Sequence, residues 1–185
     1  MEKLQSNLLT KYAEIEGFDK GPWDMRLKEN QIEAKGFMFR VIEELGESFE
    51  SFKKEDFTNF WTELADATHF LLELGLVTGV RMEQSAWDEI WQGLEESPVV
   101  LHETVLIDWF WDASYKLSLV SNALRNKTWK QTEVLPDLHR FETLMAMAYR
   151  TFFMGFRRIG ASEKLIFEWY WRKNQVNLFR IRSKY

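Results

Sequence analysis

The sequence predicts an all-α fold. Three observations carry that expectation. Apolar residues recur at three- and four-residue steps, the period of a helix, over long stretches. No segment reads as a strand run. The three prolines, Pro22, Pro98 and Pro136, fall between the periodic stretches and punctuate them.

Residues 1–16 form a plausible first helix, followed by the loop Glu16-Gly17-Phe18-Asp19-Lys20-Gly21-Pro22. From about Asn30 to Phe52, the residues Ile32, Phe39, Ile42, Leu45, Phe49 and Phe52 keep helical spacing. Asp56 is an N-cap for a helix from Phe57 to about Val77, with Gly79 near its C-terminal end. Helices then follow over Met82–Leu94, Leu101–Asn126 and, after a loop at Pro136, Asp137–Ile159. The last runs from Ser162, a capping residue with Glu163 at the positive end of the helix dipole, to about Arg180. A faint duplication relates Gly75 and Trp91 to Gly155 and Trp171, each pair offset by 80 residues.

Length and composition narrow the class. A chain of 185 residues suffices for one domain, 1–185, with a sizeable core. The absence of cysteine excludes disulfides and thiolate metal sites, so a metal would need oxygen or nitrogen ligands. With 45% hydrophobic and 16% aromatic residues the chain is not of the disordered type. A net charge of −5, with acids and bases mixed, argues against non-specific nucleic-acid binding. Met1–Ser6 is followed by no apolar signal segment. The most apolar stretch, Phe70–Val80, is too short for a bilayer and contains Glu73 and two glycines. The expectation is a cytoplasmic protein without membrane contact.

Two acidic pairs stand out: Glu44-Leu45-Gly46-Glu47 and Glu63-Leu64-Ala65-Asp66. Each is spaced i,i+3, so its carboxylates share one helix face. Both pairs are symmetric about residue 55, inside the charged run Lys53-Lys54-Glu55-Asp56, which reads as a turn. An antiparallel hairpin folded there sets Glu47 level with Glu63 and Glu44 level with Asp66. Solvated helix faces often carry such pairs, but this setting differs. Glu63, Asp66, His69 and Glu73 form one narrow stripe on a helix otherwise apolar, and no Lys or Arg occurs from Phe57 to Val80. Carboxylates in such a place are costly unless paired or metal-bound. An all-oxygen site suits Mg²⁺ or Mn²⁺, and Mg²⁺ favours sites shared with phosphates. The reading is metal-assisted displacement at phosphorus. Gly46 is expected to let the second helix approach closely. Asp66-x-x-His69 is half of a di-iron bundle motif, but the other half is absent. His69 is expected to be neutral, either orienting Asp66 or packed in the core.

Near the C-terminus, Lys173, Asn174, Asn177 and Arg180 share helical spacing. They offer positive charge and hydrogen-bond donors to a polyphosphate. An ordinary basic C-terminal turn reads the same way.

These segments together resemble the dimeric-type dUTPases within the MazG-like all-α NTP pyrophosphatases. Glu43-Glu44-Leu45-Gly46-Glu47 is similar to E-E-x-x-E, and Glu63 to Phe70 to E-x-x-D-x-x-H-F. Lys173-Asn174-x-x-Asn177-x-x-Arg180 with Tyr185 is similar to K-N-x-x-N-x-x-R-x-x-x-x-Y. The resemblance implies a bundle of two helical hairpins, a metal-binding one over about 30–80 and a degenerate one, with the phosphate-binding helix, within 101–185. It implies Mg²⁺ on Glu44, Glu47, Glu63 and Asp66. Glu43 would support or deprotonate the attacking water, with Glu47 also catalytic. Lys173, Asn174, Asn177, Arg180 and Tyr185 would contact the nucleotide. The implied reaction is hydrolysis of a deoxynucleoside triphosphate, dUTP first, to the monophosphate and pyrophosphate by a homodimer. The same chemistry on dCTP or another dNTP is one alternative. A non-catalytic helical metal- or partner-binding protein is another. The family's amide-rich base-reading segment near the N-terminus has only Gln31 as a candidate here, and Ile181 and Lys184 depart from the family's ending.

Overall fold

The charged run at residues 51–56 reverses the chain, and the rest of the architecture is arranged on the hairpin this creates. Phe52 and Ser51 carbonyls accept from the Glu55 and Asp56 amides, and Glu55 takes the left-handed conformation at φ 59°. The Asp56 carboxylate then accepts from the Asn59 amide at 3.0 Å, capping the returning helix as its sequence predicts. The computed structural model describes residues 1–17, 19–93 and 98–183.

Seven helices make up the described residues: α1 (Glu2–Glu16), α2 (Lys28–Lys53), α3 (Phe57–Thr78), α4 (Gln84–Trp91), α5 (Glu103–Ala123), α6 (Leu138–Arg158) and α7 (Glu163–Ser183). The all-α expectation holds, with shifted ends. The second helix starts at Lys28 and not at Asn30, and the last continues past Arg180 to Ser183. The fourth is shorter than Met82–Leu94: Glu83 is extended, and the chain leaves the helix at Gln92 before Gly93 at φ 66°. Leu94 itself lies outside the described residues. Gly79 ends α3 in the left-handed conformation at φ 75°, and Ser162 Oγ accepts from the Leu165 amide to start α7.

Helices α2 and α3 form one antiparallel hairpin, and α5 and α6 form a second. Helix α7 lies along α3, and α1 bridges α3 and α7. The second hairpin supplies an aromatic interior: Trp109 meets Phe156 edge-on at 4.9 Å, and Phe152, Phe153 and Phe141 are buried around them. The first hairpin is tied to the second by polar bonds. Gln31 Oε1 accepts from the Asn126 amide at 3.2 Å, and the amines of Lys35 and Lys28 donate to the carbonyls of Asn126 and Lys130. Asn126, itself buried, bonds Val134 with both ends of its amide.

Two helical glycines are required by packing. A Cβ at Gly75 would stand 1.9 Å from the hydroxyl of Tyr149, which donates to the Leu71 or Val80 carbonyl. A Cβ at Gly155 would stand 1.9 Å from the Trp109 ring. These are the glycines related by the 80-residue offset, and each receives an aromatic side chain from another helix. Gly46 is different. A Cβ there would meet nothing within 4 Å, so the close helix approach expected of it does not occur. Gly155→Ala is therefore expected to destabilise the fold by about 1–3 kcal/mol through overpacking. Gly46→Ala is expected to stabilise it by up to about 1 kcal/mol through helix propensity. Urea unfolding followed by circular dichroism measures both.

Candidate active site

The i,i+3 pair on α3 and its facing residue on α2 meet as the hairpin symmetry requires. Glu44, Glu63 and Asp66 each present a carboxylate oxygen, and these oxygens lie within 4.8 Å of one another. The three side chains are half-buried. Burial pushes the Glu44 carboxyl up to about 8, helped by Asp66, by a hydrogen bond with Glu63, and by Glu47. Burial also raises Asp66, against the opposing pull of Lys173. The Lys173 amine, from α7, forms an ion pair with the Asp66 carboxylate.

Glu44 and Asp66 open onto a cavity of about 670 Å³ between α1, α2, α3 and α7. Lys173, Asn177 and Arg180 line it from α7. They lie on the 173–177–180 stripe of that helix. Asn174 lies on the adjacent stripe with Ile166 and Tyr170, which is buried. It is 1% exposed beside Tyr170 and does not line the cavity, unlike the expectation for it. Glu47 is exposed and outside the three-carboxylate cluster. It lines a shallow groove with Glu43, Glu50 and Lys53, so Glu43 also faces away from the cavity. Tyr185 lies outside the described residues. Gln31 is fully buried in the inter-hairpin tie and reads no ligand.

His69 is packed in the core. It is 4% exposed and stacks on Tyr170 at 4.1 Å with rings 14° apart. Its Nδ1 bonds the Ala65 carbonyl at 2.7 Å and not Asp66. A carbonyl partner fixes the proton on Nδ1, leaving Nε2 a bare acceptor. Burial lowers the imidazole to about 4.

Other walls of the cavity escaped the sequence reading. Trp23, from the loop before α2, is pinned by its amide to the Val77 carbonyl at 2.6 Å. Phe37 and Phe70 line the cavity beside Arg40, whose guanidinium lies 5.4 Å from each ring centre. Helix α1 adds Gln5 and Tyr12, with Gln5 Oε1 accepting from the Tyr170 hydroxyl at 2.8 Å. Arg40 and Phe37 were within reach of helical spacing, since residues 37, 40 and 44 share one face. Trp23 had no periodic signal.

The cluster fits a hard divalent cation. It offers oxygen donors alone, close enough to converge on one ion, and its mutual repulsion is relieved only in part by Lys173. An acidic cluster facing a lysine and an arginine across an aromatic-walled cavity, on an all-α bundle, defines a class: hydrolases of metal-chelated phosphate anhydrides. The family model described as dUTPase matches residues 22–185, and the chain belongs to that family, the all-α dUTPases. It is a dUTP diphosphatase, hydrolysing dUTP to dUMP and pyrophosphate. Helix α1 precedes the matched span. No curated protein and no solved structure matches the chain. Among the described residues no helix is long and apolar enough to cross a membrane.

The acid–base balance of the site has a measurable consequence. Glu44, at about 8, and Glu73, raised by burial to about 7, have folded values above the ordinary 4.5. Their contribution to stability is fully present below 4.5 and is lost as pH rises through 7 to 8. His69 acts oppositely: held at about 4 against an ordinary 6.5, its contribution is full above 6.5 and is lost as pH falls toward 4. The metal-free protein should melt at lower temperature at pH 8.5 than at pH 6.5. Mg²⁺ should raise the melting temperature more at the higher pH, where its ligands are already ionised. Thermal melts across pH, with Mg²⁺ or with a chelator, check both.

Proposed function

We propose that dUTP is hydrolysed in this cavity, with Glu44, Glu63 and Asp66 holding Mg²⁺, or Mn²⁺ in its place. The convergence of three carboxylates at the cavity wall carries the reading. When bound, the cation supplies charge neutralisation on the phosphates and a lowered pKa for a water in its shell. Lys173 and Arg180 donate to phosphate oxygens, and Asn177 adds an amide between them. Lys173 then exchanges its Asp66 partner for the phosphate chain.

Water attacks the α-phosphorus. Its oxygen bonds to phosphorus, the bond from phosphorus to the bridging oxygen breaks, and pyrophosphate departs with that electron pair. The proton of the attacking water needs an acceptor. Glu47 suits this better than Glu43. It lies one turn along α2 from Glu44, close enough to raise that group, yet solvated and therefore free to hand the proton on. Its position also permits it to complete the ligand set from the solvent side. Trp23, Phe37 and Phe70 provide flat apolar walls for the nucleoside.

We also assign a homodimer, in keeping with the family. Trp109 is core, but Ile107, Trp111 and Tyr115 recur every four residues on an exposed face of α5. Trp111 is 72% exposed. Self-association covers this stripe without introducing any further chain. Light scattering should give twice the 22.2 kDa chain mass, and Trp111→Lys should shift it toward the monomer.

The catalytic assignment is tested by Glu44→Gln and Asp66→Asn. Each should lower dUTP turnover by more than about 100-fold, since even outer-shell changes at metal sites cost 10- to 100-fold. Helicity should be retained. Glu47→Ala should lower turnover more than Glu43→Ala. Equal activity in all four variants, measured by pyrophosphate release with Mg²⁺, would place the reaction elsewhere.

A further inference from the structure

One carboxyl in the cavity has no task in the reaction above. Glu73 lies on the stripe of α3 that carries Glu63, Asp66 and His69, seven residues beyond Asp66. At 1.5 Å per residue, it stands about 10 Å along the helix from the metal end. That separation is of the order needed to pass from the α-phosphorus across a deoxyribose to the far edge of a base. Burial raises the group, and Arg40 only partly opposes this. Among the described residues, Glu73 makes no hydrogen bond or ion pair. A carboxyl lining a cavity without a partner is costly unless a ligand supplies one.

The chemistry of its surroundings narrows that ligand group. A polyphosphate would be repelled by the acid, and the cations that would hold it, Lys173 and Arg180, belong to α7 beside Asp66. Around Glu73 the cavity is aromatic, with Phe70 three residues before it on the same helix and Phe37 with Arg40 opposite on α2. Tyr12 from α1 and Tyr170 from α7 are its other titratable neighbours, and both are raised in part by its charge. This is a setting for a flat ring whose edge carries an N–H. We propose that Glu73 is a specificity-determining residue, and that its carboxyl accepts the N3–H of the uracil ring while the ring lies against Phe70. The assignment rests on the dUTP reading of the cavity and adds the group that reads the base. It also explains why α1, outside the span matched to the family, packs here: Tyr12 and Gln5 close the wall behind the base.

Steady-state kinetics on dUTP and N3-methyl-dUTP, with wild type and Glu73→Ala, test the assignment. Methylation removes the N3–H and adds bulk at the proposed contact. Wild type should prefer dUTP by about ten- to a hundred-fold in kcat/KM, the worth of one charged hydrogen bond. In Glu73→Ala that preference should collapse toward unity, because the acceptor is gone and the vacated space admits the methyl group. A purely structural role would lower both substrates together and leave their ratio unchanged. An unchanged ratio overturns the proposal and moves the contact to the bare Nε2 of His69. Should Glu73→Ala fail to fold by circular dichroism, Glu73→Gln serves in its place. Its amide accepts through the carbonyl but keeps the bulk, so it should retain dUTP and still reject the methylated base. Equal acceptance of both substrates by Glu73→Gln counts against the proposal. Absence of dUTP hydrolysis by wild type would instead strike the dUTP reading itself.

Discussion

Like charge held in a half-buried place is the constraint that organises this molecule. Glu44, Glu63 and Asp66 are brought together by the α2–α3 hairpin, in surroundings that raise every carboxyl whose shift is resolved there. Nothing in a two-helix hairpin offsets that repulsion. The third element that does so is α7, whose Lys173 reaches Asp66. The packing of α7 along α3 is therefore both a core contact and the electrostatic complement of the acid cluster. The same juxtaposition creates the cavity, because the basic stripe of α7 has to face the acidic stripe of α3. Fold and reaction centre share one cause.

The second hairpin supplies the rigidity. Trp109, Phe152, Phe153 and Phe156 fill the space between α5 and α6, with Trp109 lodged over Gly155. Tyr149 reaches from α6 to Gly75 and bonds at the C-terminal part of α3. An aromatic seated on a bare stretch of helix is thus used twice, once within the second hairpin and once between hairpins. Aromatics placed this way set helix separation tightly, since a single added methyl group meets ring atoms with no room to yield.

Much of this was legible in the chain. The symmetry of the two acid pairs about residue 55, with a charged turn and the Asp56 cap, fixes which carboxylates meet. The absence of Lys and Arg on α3 marks it as buried. Helical phase explains what was misread. On α7, residues 173, 177 and 180 follow one stripe, and Asn174 is turned onto the next, against the core. On α2, Glu43 and Glu47 belong to a face rotated from that of Phe37, Arg40 and Glu44. Spacing shows that residues share a face; only packing shows which face looks inward. Trp23 was invisible for another reason. It sits in a loop, and a backbone bond to Val77 positions it, and such a bond leaves no pattern in side-chain order. Gly46 and Gly155 are alike as letters, and only their neighbours separate them.

The ties from α2 to the segment after α5 give that segment a mechanical part. Gln31, Lys28 and Lys35 hold it by its backbone, through the Asn126 amide and the carbonyls of Asn126 and Lys130. Backbone groups are present whatever the side chains are, so the grip tolerates substitution along residues 125–134 but not a change in their number. Adding or deleting one residue there would pull on α2 two turns before Glu44 and twist the cluster out of register. In this fold the length of a surface connector is a dimension of the reaction centre.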